Sequence, residues 1–459
     1  MSAAPDHILY MTNSQTKFDI VILGLGITGI SCAGFYSGRG KSVALADSRT
    51  NPPGLAAARK RFPDMPLYLG EFDRQLLCSA ATLVVSPGIS VMQPAIQAAH
   101  RAGVRVIGDI ELFCQNTTRP IVAVTGSNGK STVASLVSKM IERAGKQVKL
   151  GGNIGLPALE LLSGPEPDFY VLELSSFQLE TTSSLNAVAA AVLNLSEDHM
   201  DRYTGMEQYA NAKARIYNGS GTMIINQDDA MASAMARSGR SYICYTSREP
   251  AADAFGIRLQ AGVRFIAYGE KLVCPVSDLP LQGSHNTANA MAALALGTAI
   301  GLPMDSMVAA LRDFKGLPHR CQWVARINGA DWINDSKGTN VGASCAAIEG
   351  LAGSNNLILI AGGDGKGADF SRLAEVAAGR VREAILIGRD ANRMAAVLRD
   401  VTRVNFAGDM DAAVALAFAG AAAGDVVLLS PACASLDMFT DYQQRGNEFV
   451  AALNRIARA

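Results

Sequence analysis

The stretch Val122-Ala-Val-Thr-Gly-Ser-Asn-Gly-Lys-Ser-Thr132 predicts a buried strand, a glycine turn and the start of a helix. After Ser131 the apolar residues recur at helical spacing, which predicts an amphipathic helix. Backbone N–H groups at such a helix start can hold phosphate, and Lys130 supplies a cation. The hydroxyl of Ser131 or Thr132 can reach Mg²⁺. The stretch therefore predicts ATP binding.

The loop is a shortened relative of the Walker motif, because Val124 stands where the full pattern needs glycine. A glycine turn between strand and helix can also serve packing alone. The order of strand, Gly-Lys-Ser and helix favours the phosphate-binding interpretation. The predicted nucleotide-binding residues of this loop are Gly126, Ser127, Asn128, Gly129, Lys130, Ser131 and Thr132.

Composition indicates a multi-domain enzyme of a reducing compartment. The chain has 459 residues, and 41 basic residues balance 41 acidic ones, so no electrostatic argument favours nucleic acid or an anionic membrane. The eight cysteines lack metal-binding spacing, which favours buried thiols. Residues 1–17 read as a polar, disordered tail without a signal peptide, and no apolar run approaches the roughly 20 residues of a membrane helix. We expect a cytoplasmic protein without membrane insertion.

The first α/β segment contains a second glycine turn. The strand Asp19–Leu23 leads into Gly24-Leu-Gly-Ile-Thr-Gly29, and a second strand ends at Asp47. This pattern is typical of dinucleotide binding, with the acidic residue placed for a ribose. Packing turns in parallel sheets look similar. The pattern predicts anion binding and leaves the identity of the ligand open.

The second segment delivers polar residues at the ends of buried strands, where open α/β sheets place their sites. Glu173 follows one strand and is the expected carboxylate anchor for Mg²⁺, although it could instead cap the next helix. His199 follows another strand beside Asp198 and Asp201. It is either a site residue or a structural histidine.

The third segment begins near Leu317 with a hairpin pattern and contains further buried strands. Small, charged and hydroxyl residues follow these strands in Asn334–Asn340, Gly362–Gly367 and Ser430–Phe439. A single loop of this kind is usually only a turn. Three such loops at one edge of a predicted sheet indicate a ligand-binding surface.

Taken together, these motifs resemble the Mur ligase family, and within it the D-glutamate-adding members. The P-loop, Glu173–Glu180 and His285–Asn289 match the family broadly, while Asn194–Tyr203 and the loops of the third segment match the D-glutamate-adding branch. The motifs run in family order from about Phe18 to Gly446. The resemblance implies an α/β protein of three domains: a Rossmann-like UDP-binding domain (1–108), a P-loop ATPase-like central domain (109–316) and a Rossmann-like C-terminal amino-acid-binding domain (317–459).

The resemblance implies ATP-dependent amide synthesis through an acyl phosphate, joining D-glutamate to UDP-N-acetylmuramoyl-L-alanine, by a protein expected to act as a monomer. It assigns the first glycine turn to a uridine diphosphate instead of a nicotinamide dinucleotide. The residues implied for the UDP substrate are Ile27, Thr28, Asp47, Ser48, Arg49, Gly88, Asn153 and His199.

The resemblance also implies two Mg²⁺ ions, one held by Ser131 and Glu173, the other by His199 and Lys213. An ammonium repels Mg²⁺, and Lys213 read alone is a solvated helix lysine. In the family the matching lysine carries a CO₂-derived carbamate, which turns the cation into an anion with oxygen ligands. Lys130, Glu173, His199 and Lys213 are the implied catalytic residues.

Further implied contacts come from two sets of residues. The ATP contacts outside the P-loop are Asn286, Asn289, Arg320, Asp335 and Lys337, and the D-glutamate contacts are Thr339, Lys366, Ser435 and Phe439. Other hypotheses stay open at this point. They are an NAD-dependent oxidoreductase, a nucleotide-driven switch or motor, a sibling ligase for another amino acid, and a folylpolyglutamate synthetase.

Overall fold

A computed structural model describes residues 17–281 and 283–457, so the predicted tail lies outside the described residues except for Lys17. The chain forms two compact units. Of the described residues, the first unit comprises those up to Thr117 with Pro157–Gly164 and Thr181–Ser183; the second comprises Thr118–Leu156, Pro165–Glu180 and those from Ser184. None of the helices in the described ranges is long and apolar enough to cross a membrane.

The first unit is built on a five-stranded parallel sheet of order β3-β2-β1-β4-β5. Apolar side chains from β1, β2 and β4 form its core with those of the helices. The strands are β1 (Ile20–Leu23), β2 (Val43–Asp47), β3 (Leu67–Leu69), β4 (Thr82–Val85) and β5 (Arg105–Ile107). The helices are α1 (Ile27–Tyr36), α2 (Leu55–Arg61), α3 (Arg74–Ser79), α4 (Pro94–Arg101) and α5 (Asp109–Cys114), with a 3₁₀ turn at Ala158–Leu162.

The second unit contains two sheets, of which the first has nine strands in the order β14-β13-β12-β11-β10-β9-β6-β8-β7. Its pairings are parallel except at β12–β13 and β13–β14. The strands are β6 (Ile121–Thr125), β7 (Val148–Gly152), β8 (Phe169–Glu173), β9 (Ala189–Val192), β10 (Thr222–Asn226), β11 (Tyr242–Tyr245), β12 (Ala254–Gln260), β13 (Val263–Tyr268) and β14 (Lys271–Pro275). The helices are α6 (Lys130–Arg143), α7 (Ser176–Glu180), α8 (Met206–Ala214), α9 (Ala230–Ser233), α10 (Ser284–Ala299) and α11 (Met304–Asp313), with 3₁₀ turns at Arg215–Tyr217 and Val276–Asp278.

The other sheet of this unit has six strands in the order β15-β16-β20-β17-β18-β19. The predicted hairpin is confirmed, because β15 and β16 pair antiparallel while the remaining pairings are parallel. The strands are β15 (Gln322–Ile327), β16 (Ala330–Asn334), β17 (Leu357–Gly362), β18 (Val381–Ile387), β19 (Arg403–Phe406) and β20 (Val426–Leu429). The helices are α12 (Val341–Leu351), α13 (Ser371–Ala377), α14 (Ala391–Leu398), α15 (Met410–Gly420) and α16 (Tyr442–Ile456), and apolar clusters cover both faces of the sheet.

Three α/β sheets therefore agree with the expected fold class. In each sheet the strand order reverses direction at one point: between β1 and β4, between β6 and β9, and between β17 and β20. Open α/β sheets bind ligands at the carboxyl ends of strands beside such a reversal. The glycine turn of the first unit, the P-loop and the Gly362–Gly367 loop each follow one of these strands.

The eight cysteines carry free thiols, and five of them are buried.

Candidate active site

The P-loop adopts the strand–turn–helix geometry that its sequence predicts. Helix α6 begins at Lys130, one residue before the predicted start, and Gly129 precedes it with a φ of 82°. A side chain at Gly129 would also meet Asn289 Oδ1 at 2.3 Å. The Lys130 ammonium folds back over the loop and donates to the carbonyl oxygens of Gly126 and Ser127, both at 2.8 Å. A cation and a helix N-terminus therefore converge on this turn.

Glu173 lies beside the P-loop helix at the end of β8 and is buried. Its Oε2 accepts a hydrogen bond from the Ser131 hydroxyl, and its Oε1 accepts one from Asn153 Nδ2 at 2.7 Å. These contacts favour a ligand-binding role over helix capping. Hydroxyl and carboxylate oxygens are hard ligands of the kind Mg²⁺ prefers. The pair therefore fits the first predicted Mg²⁺ site.

Lys213 is buried, and the solvated-lysine interpretation is wrong. The ammonium nitrogen donates to the carbonyl oxygen of Gly126 at 2.9 Å, lies 3.3 Å from Thr125 Oγ1 and sits above the ring of Tyr209. Burial lowers the pKa of Lys213 well below its usual value, and the neighbouring Lys130 lowers it further. Only the neutral amine can react with CO₂, so this surrounding fits the predicted carbamate.

A cavity of about 150 Å³ opens beside the P-loop within the second unit. Arg320 crosses from the hairpin region to donate to the Ser131 hydroxyl at 2.5 Å. The lining residues include eight of the twelve residues predicted to bind ATP: Asn128, Gly129, Thr132, Asn286, Asn289, Arg320, Asp335 and Lys337. The cavity therefore gathers residues from both sheets of the unit around the nucleotide-binding loop.

Two charged groups at the wall of this cavity have shifted pKa values. Burial raises the pKa of Asp335 to about 6, although Ser430 Oγ and the Cys321 amide donate to its carboxylate. Burial lowers the pKa of Lys337 to about 8, with the charges of Arg320 and Lys130 adding to the effect. The Lys337 ammonium lies over the ring of Tyr442 at 4.1 Å.

A smaller cavity brings together residues from the ends of β9, β16 and β17. Lys366 Nζ contacts Asp198 Oδ1 at 2.5 Å, and Thr339 and His199 also line this cavity. Burial would raise the pKa of Asp198, but the charge and hydrogen bond of Lys366 together with the charges of His199 and Lys130 outweigh it and lower the pKa to about 2. Burial lowers the pKa of His199 to about 4, so its ring is neutral at pH 7 and can act as a metal ligand.

Ser435 and Phe439 belong to the loop after β20 and are not among the residues that line this cavity. Ser435 is buried, its carbonyl accepts the Phe439 amide at 2.8 Å, and Phe439 packs against the apolar cluster under the sheet. Backbone hydrogen bonds between Ala434 and Asp364 join this loop to the one that carries Lys366. The assignment of Ser435 and Phe439 to D-glutamate stays a prediction.

The glycine turn of the first unit is exposed to solvent at its helix end. Ile27 is 80% exposed at the start of α1, and Thr28 follows it. Gly24 has a φ of 96°, and a side chain at Gly29 would lie 1.7 Å from the Gly24 carbonyl oxygen. These two glycines are therefore required by the turn itself, whereas Gly88, after β4, is exposed and has open space around it.

The side chain of Asp47 contacts both the glycine turn and its own loop. Its oxygens accept from the Leu25 amide at 2.7 Å and from the backbone and guanidinium of Arg49. Burial would raise the pKa of Asp47, but the hydrogen bonds from Arg49 and Leu25 outweigh it and lower the pKa. Ser48 and Arg49 are exposed. Asp47 therefore braces the glycine turn, and its contact with the UDP substrate stays a prediction.

Sequence reasoning did not single out Asn340 or Arg445. Asn340 exchanges side-chain hydrogen bonds with Asn128 of the P-loop and donates to Asp198 Oδ2 at 3.3 Å. Arg445 is 1% exposed and donates to Ser336 and to the Cys433 carbonyl, which ties two of the ligand loops together. Both residues act through contacts between distant segments, which no local pattern reveals.

Within residues 17–281 and 283–457, no group of three or more His, Cys, Asp or Glu side chains is arranged to hold a metal.

A buried lysine at a P-loop, a carboxylate beside the loop's hydroxyl and an adjoining charged cavity define an ATP-dependent enzyme. Three family models cover successive parts of the chain: the Mur ligase MurD-like N-terminal domain at residues 18–108, the Mur ligase middle domain at 124–297, and the Mur ligase glutamate ligase domain at 319–433. The chain belongs to the Mur ligase family.

Individual relatives agree with this assignment. The chain is 53% identical to the UDP-N-acetylmuramoylalanine–D-glutamate ligase of Nitrosococcus oceani, over 96% of this chain and 98% of that protein. It is 51% identical to the ligase of the same name from Marinobacter nauticus, over 94% of this chain and 96% of that protein. Among solved structures, a pseudomurein peptide ligase type C from Methanothermus fervidus superimposes with a TM-score of 0.61 at 16% identity, over 96% of this chain and 100% of that one. This last likeness shows the fold alone.

Proposed function

We propose that this ligase adds D-glutamate to UDP-N-acetylmuramoyl-L-alanine, with ATP as co-substrate and an acyl phosphate as intermediate. The observation that carries the proposal is the meeting of the P-loop with the loops of the last sheet, through Arg320 and Ser131 on one side and Lys366 and Asp198 on the other. The names of the two relatives that are 53% and 51% identical support the same substrates. A cytoplasmic location and a monomeric state stay predictions.

The first step joins two anions. The alanine carboxylate attacks the γ-phosphorus of ATP, a carboxyl oxygen–phosphorus bond forms, and ADP leaves. Lys130 and Arg320 supply positive charge beside the P-loop hydroxyl of Ser131, where the transferred phosphoryl group would lie. Fixed charges in a site of low dielectric stabilise developing charge without reorganising first.

In the second step the amine of D-glutamate attacks the activated carbonyl, an amide forms, and inorganic phosphate leaves. Thr339, Lys366, Ser435 and Phe439 are the proposed contacts for the amino acid. Holding the amine against the acyl phosphate can account for about 7–11 kcal/mol of the barrier. The link between the Lys366 loop and the Ser435 loop supports a shared binding surface.

Mg²⁺ would be held by Ser131 and Glu173, with His199 and carbamylated Lys213 as the proposed ligands of a second ion. When bound, these ions would neutralise phosphate charge. The contact of Ser131 with Glu173 and the neutral ring of His199 fit this use. The carbamate is testable by itself: ¹³C-bicarbonate should give a carbamate NMR signal that is absent from Lys213→Met.

In the first unit, the glycine turn after β1 is the proposed site for the diphosphate of the nucleotide substrate. Ile27 and Thr28 present the free N–H groups of a helix start, and a diphosphate is a suitable ligand for such groups. Ser48, Arg49 and Gly88 are exposed at the neighbouring strand ends and are available to the uridine. Asn153 and His199, both in the second unit, are proposed for the muramoyl-alanine end.

The direct test is phosphate release with Mg-ATP and UDP-N-acetylmuramoyl-L-alanine, comparing D-glutamate, L-glutamate and no amino acid. Release that depends on D-glutamate supports the proposal. Release that depends only on L-glutamate would keep the ligase chemistry and overturn the stereochemical assignment. Folded protein that releases no phosphate with either amino acid would contradict the proposed function.

A further inference from the structure

The ion pair between Lys366 and Asp198 connects two segments that are far apart in the chain. Lys366 lies in the loop after β17, with a φ of 51°, and Asp198 lies in the segment after β9. Their charged atoms are 2.5 Å apart, and the two side chains are only 18% and 10% exposed. The proposed amino-acid-binding lysine is therefore already neutralised by a carboxylate of the protein.

Both oxygens of Asp198 are engaged. Oδ1 contacts Lys366, while Oδ2 accepts from Asn340 Nδ2 at 3.3 Å and lies 3.7 Å from His199 Nε2. Asn340 is itself buried and fixed, because its side-chain Oδ1 accepts from the Ala343 amide at 2.9 Å and so caps helix α12. The carboxylate is consequently held in place at the wall of the cavity that Thr339 and Lys366 also line.

An amino acid that uses Lys366 must separate this pair. Separation of a mostly buried ion pair leaves two charges without partners, which is strongly unfavourable unless the ligand replaces both. A carboxylate of the ligand can replace Asp198 at Lys366. Only a ligand that also carries a cation can replace Lys366 at Asp198, and an α-amino acid carries both charges.

We propose that Asp198 binds the α-ammonium group of the incoming amino acid while Lys366 binds one of its carboxylates. This inference rests on the proposed function and assigns a role that the four proposed D-glutamate contacts leave open. Asp198 acts in recognition, before the ammonium gives up its proton and the amine attacks the acyl phosphate. The pair thereby selects amino acids against dicarboxylates of the same shape that lack an amine.

The test compares D-glutamate with D-2-hydroxyglutarate, which carries a hydroxyl in place of the ammonium. The quantity measured is the ratio of the Ki of the hydroxy acid, as an inhibitor competitive with D-glutamate, to the KM of D-glutamate. Any change at Lys366 affects both ligands and cancels in this ratio. In Asp198→Asn the ratio should fall about 10- to 100-fold, the range expected for one lost charge-assisted contact.

Glu197→Gln is the matched control, because Glu197 is an exposed carboxylate that lines the same cavity. Its ratio should equal that of the wild type. Asp198→Glu retains the charge and should restore most of the ratio. If Asp198→Asn is folded but too slow to assay, the same ratio is obtained from dissociation constants measured by calorimetry with the nucleotide substrate present.

The outcomes separate the two proposals. Wild-type turnover of D-glutamate upholds the proposed function whatever the variants do. An unchanged ratio in Asp198→Asn, or an equal fall in Glu197→Gln, overturns the role of Asp198 alone. A wild-type protein that does not turn over D-glutamate overturns both.

Discussion

A glycine turn joins a strand to a helix after β1 and again after β6, and these two turns differ in the charges around them. The first presents the exposed helix start at Ile27 and has no basic residue in α1. The second holds Lys130 over its carbonyls, with Lys213 and Glu173 buried alongside. The two turns share the same backbone arrangement, and the side chains around them determine the chemistry that each turn can support.

The difference matches two uses of phosphate. A helix N-terminus suffices to hold a diphosphate that stays intact, because its N–H groups point at the anion. Transfer of a phosphoryl group to a carboxylate also needs cations and metal ligands, because charge develops between two anions. We therefore expect the first turn to bind a spectator diphosphate and the second to carry the reaction.

The largest effect should follow removal of the P-loop cation. Lys130→Met takes away the ammonium that lies over Gly126 and Ser127. We expect the rate of phosphate release to fall at least about 100-fold, as for the loss of one donor to a transition state. Lys146→Met, which changes an exposed lysine beyond the end of α6, is the control. A variant at position 130 with wild-type turnover would remove the distinction between the two turns.

The next effect concerns the geometry of the first turn. Gly29→Ala places a methyl group 1.7 Å from the Gly24 carbonyl oxygen and should destabilise the first unit by about 3 kcal/mol or more. The KM of the uridine substrate should rise while ATP binding is retained. Gly88→Ala, where open space surrounds the site, should leave stability unchanged. Equal stability of the two variants, measured by hydrogen exchange of β1, would contradict the proposed geometry.

The third prediction contrasts the carboxylates beside the two sites. Asp47 has a lowered pKa, whereas burial raises the pKa of Asp335 from 3.8 to about 6. Between pH 3.8 and about pH 6 the folded state keeps a proton on Asp335 that the unfolded state has lost. The contribution of Asp335 to stability therefore falls as pH rises through this range. Asp335→Asn removes that dependence.

The difference in unfolding free energy between Asp335→Asn and the wild type should therefore shift by about 2 kcal/mol in favour of the variant from pH 4 to pH 7. Urea unfolding followed by tryptophan fluorescence measures it, because both tryptophans, Trp323 and Trp332, lie on β15 and β16. A difference that stays constant with pH would show that folding does not raise the pKa of Asp335.

The smallest effect should come from Arg49→Gln. The guanidinium is more than half exposed but donates to the buried Asp47 carboxylate that holds the Leu25 amide. Its loss should reduce stability by about 1 kcal/mol. Faster amide exchange at Leu25 would locate the effect in the glycine turn. Unchanged exchange would show that Asp47 braces the turn without Arg49.

Much of this arrangement could be predicted from local patterns in the chain. Alternation of apolar runs with glycine turns predicted the strands and the start of α6, because hydrophobic periodicity and turn chemistry act over a few residues. The hairpin that contains Trp332 was predicted for the same reason. The contact of Arg320 with Ser131 joins positions 189 residues apart, and no local pattern encodes such a distance.

Burial was also hard to predict where a helix lacks a strong apolar face. Helix α8 buries only Tyr209, Ala212 and Lys213, so nothing in its pattern distinguishes Lys213 from an exposed lysine. Asp47 was expected to face a ribose, but hydrogen bonds from Arg49 and from the Leu25 amide of the glycine turn hold its oxygens. For Lys213, and for Asp47 at Leu25, the deciding neighbours come from other segments of the fold.

The measurement that tests the central claim most directly follows oxygen atoms. Substrate labelled with ¹⁸O in both carboxylate oxygens of its alanine is turned over with ATP and D-glutamate, and the released phosphate is analysed by mass spectrometry. Attack of the carboxylate at the P-loop predicts one ¹⁸O atom in each phosphate, with the other retained in the new amide. Phosphate without label would contradict the acyl-phosphate route.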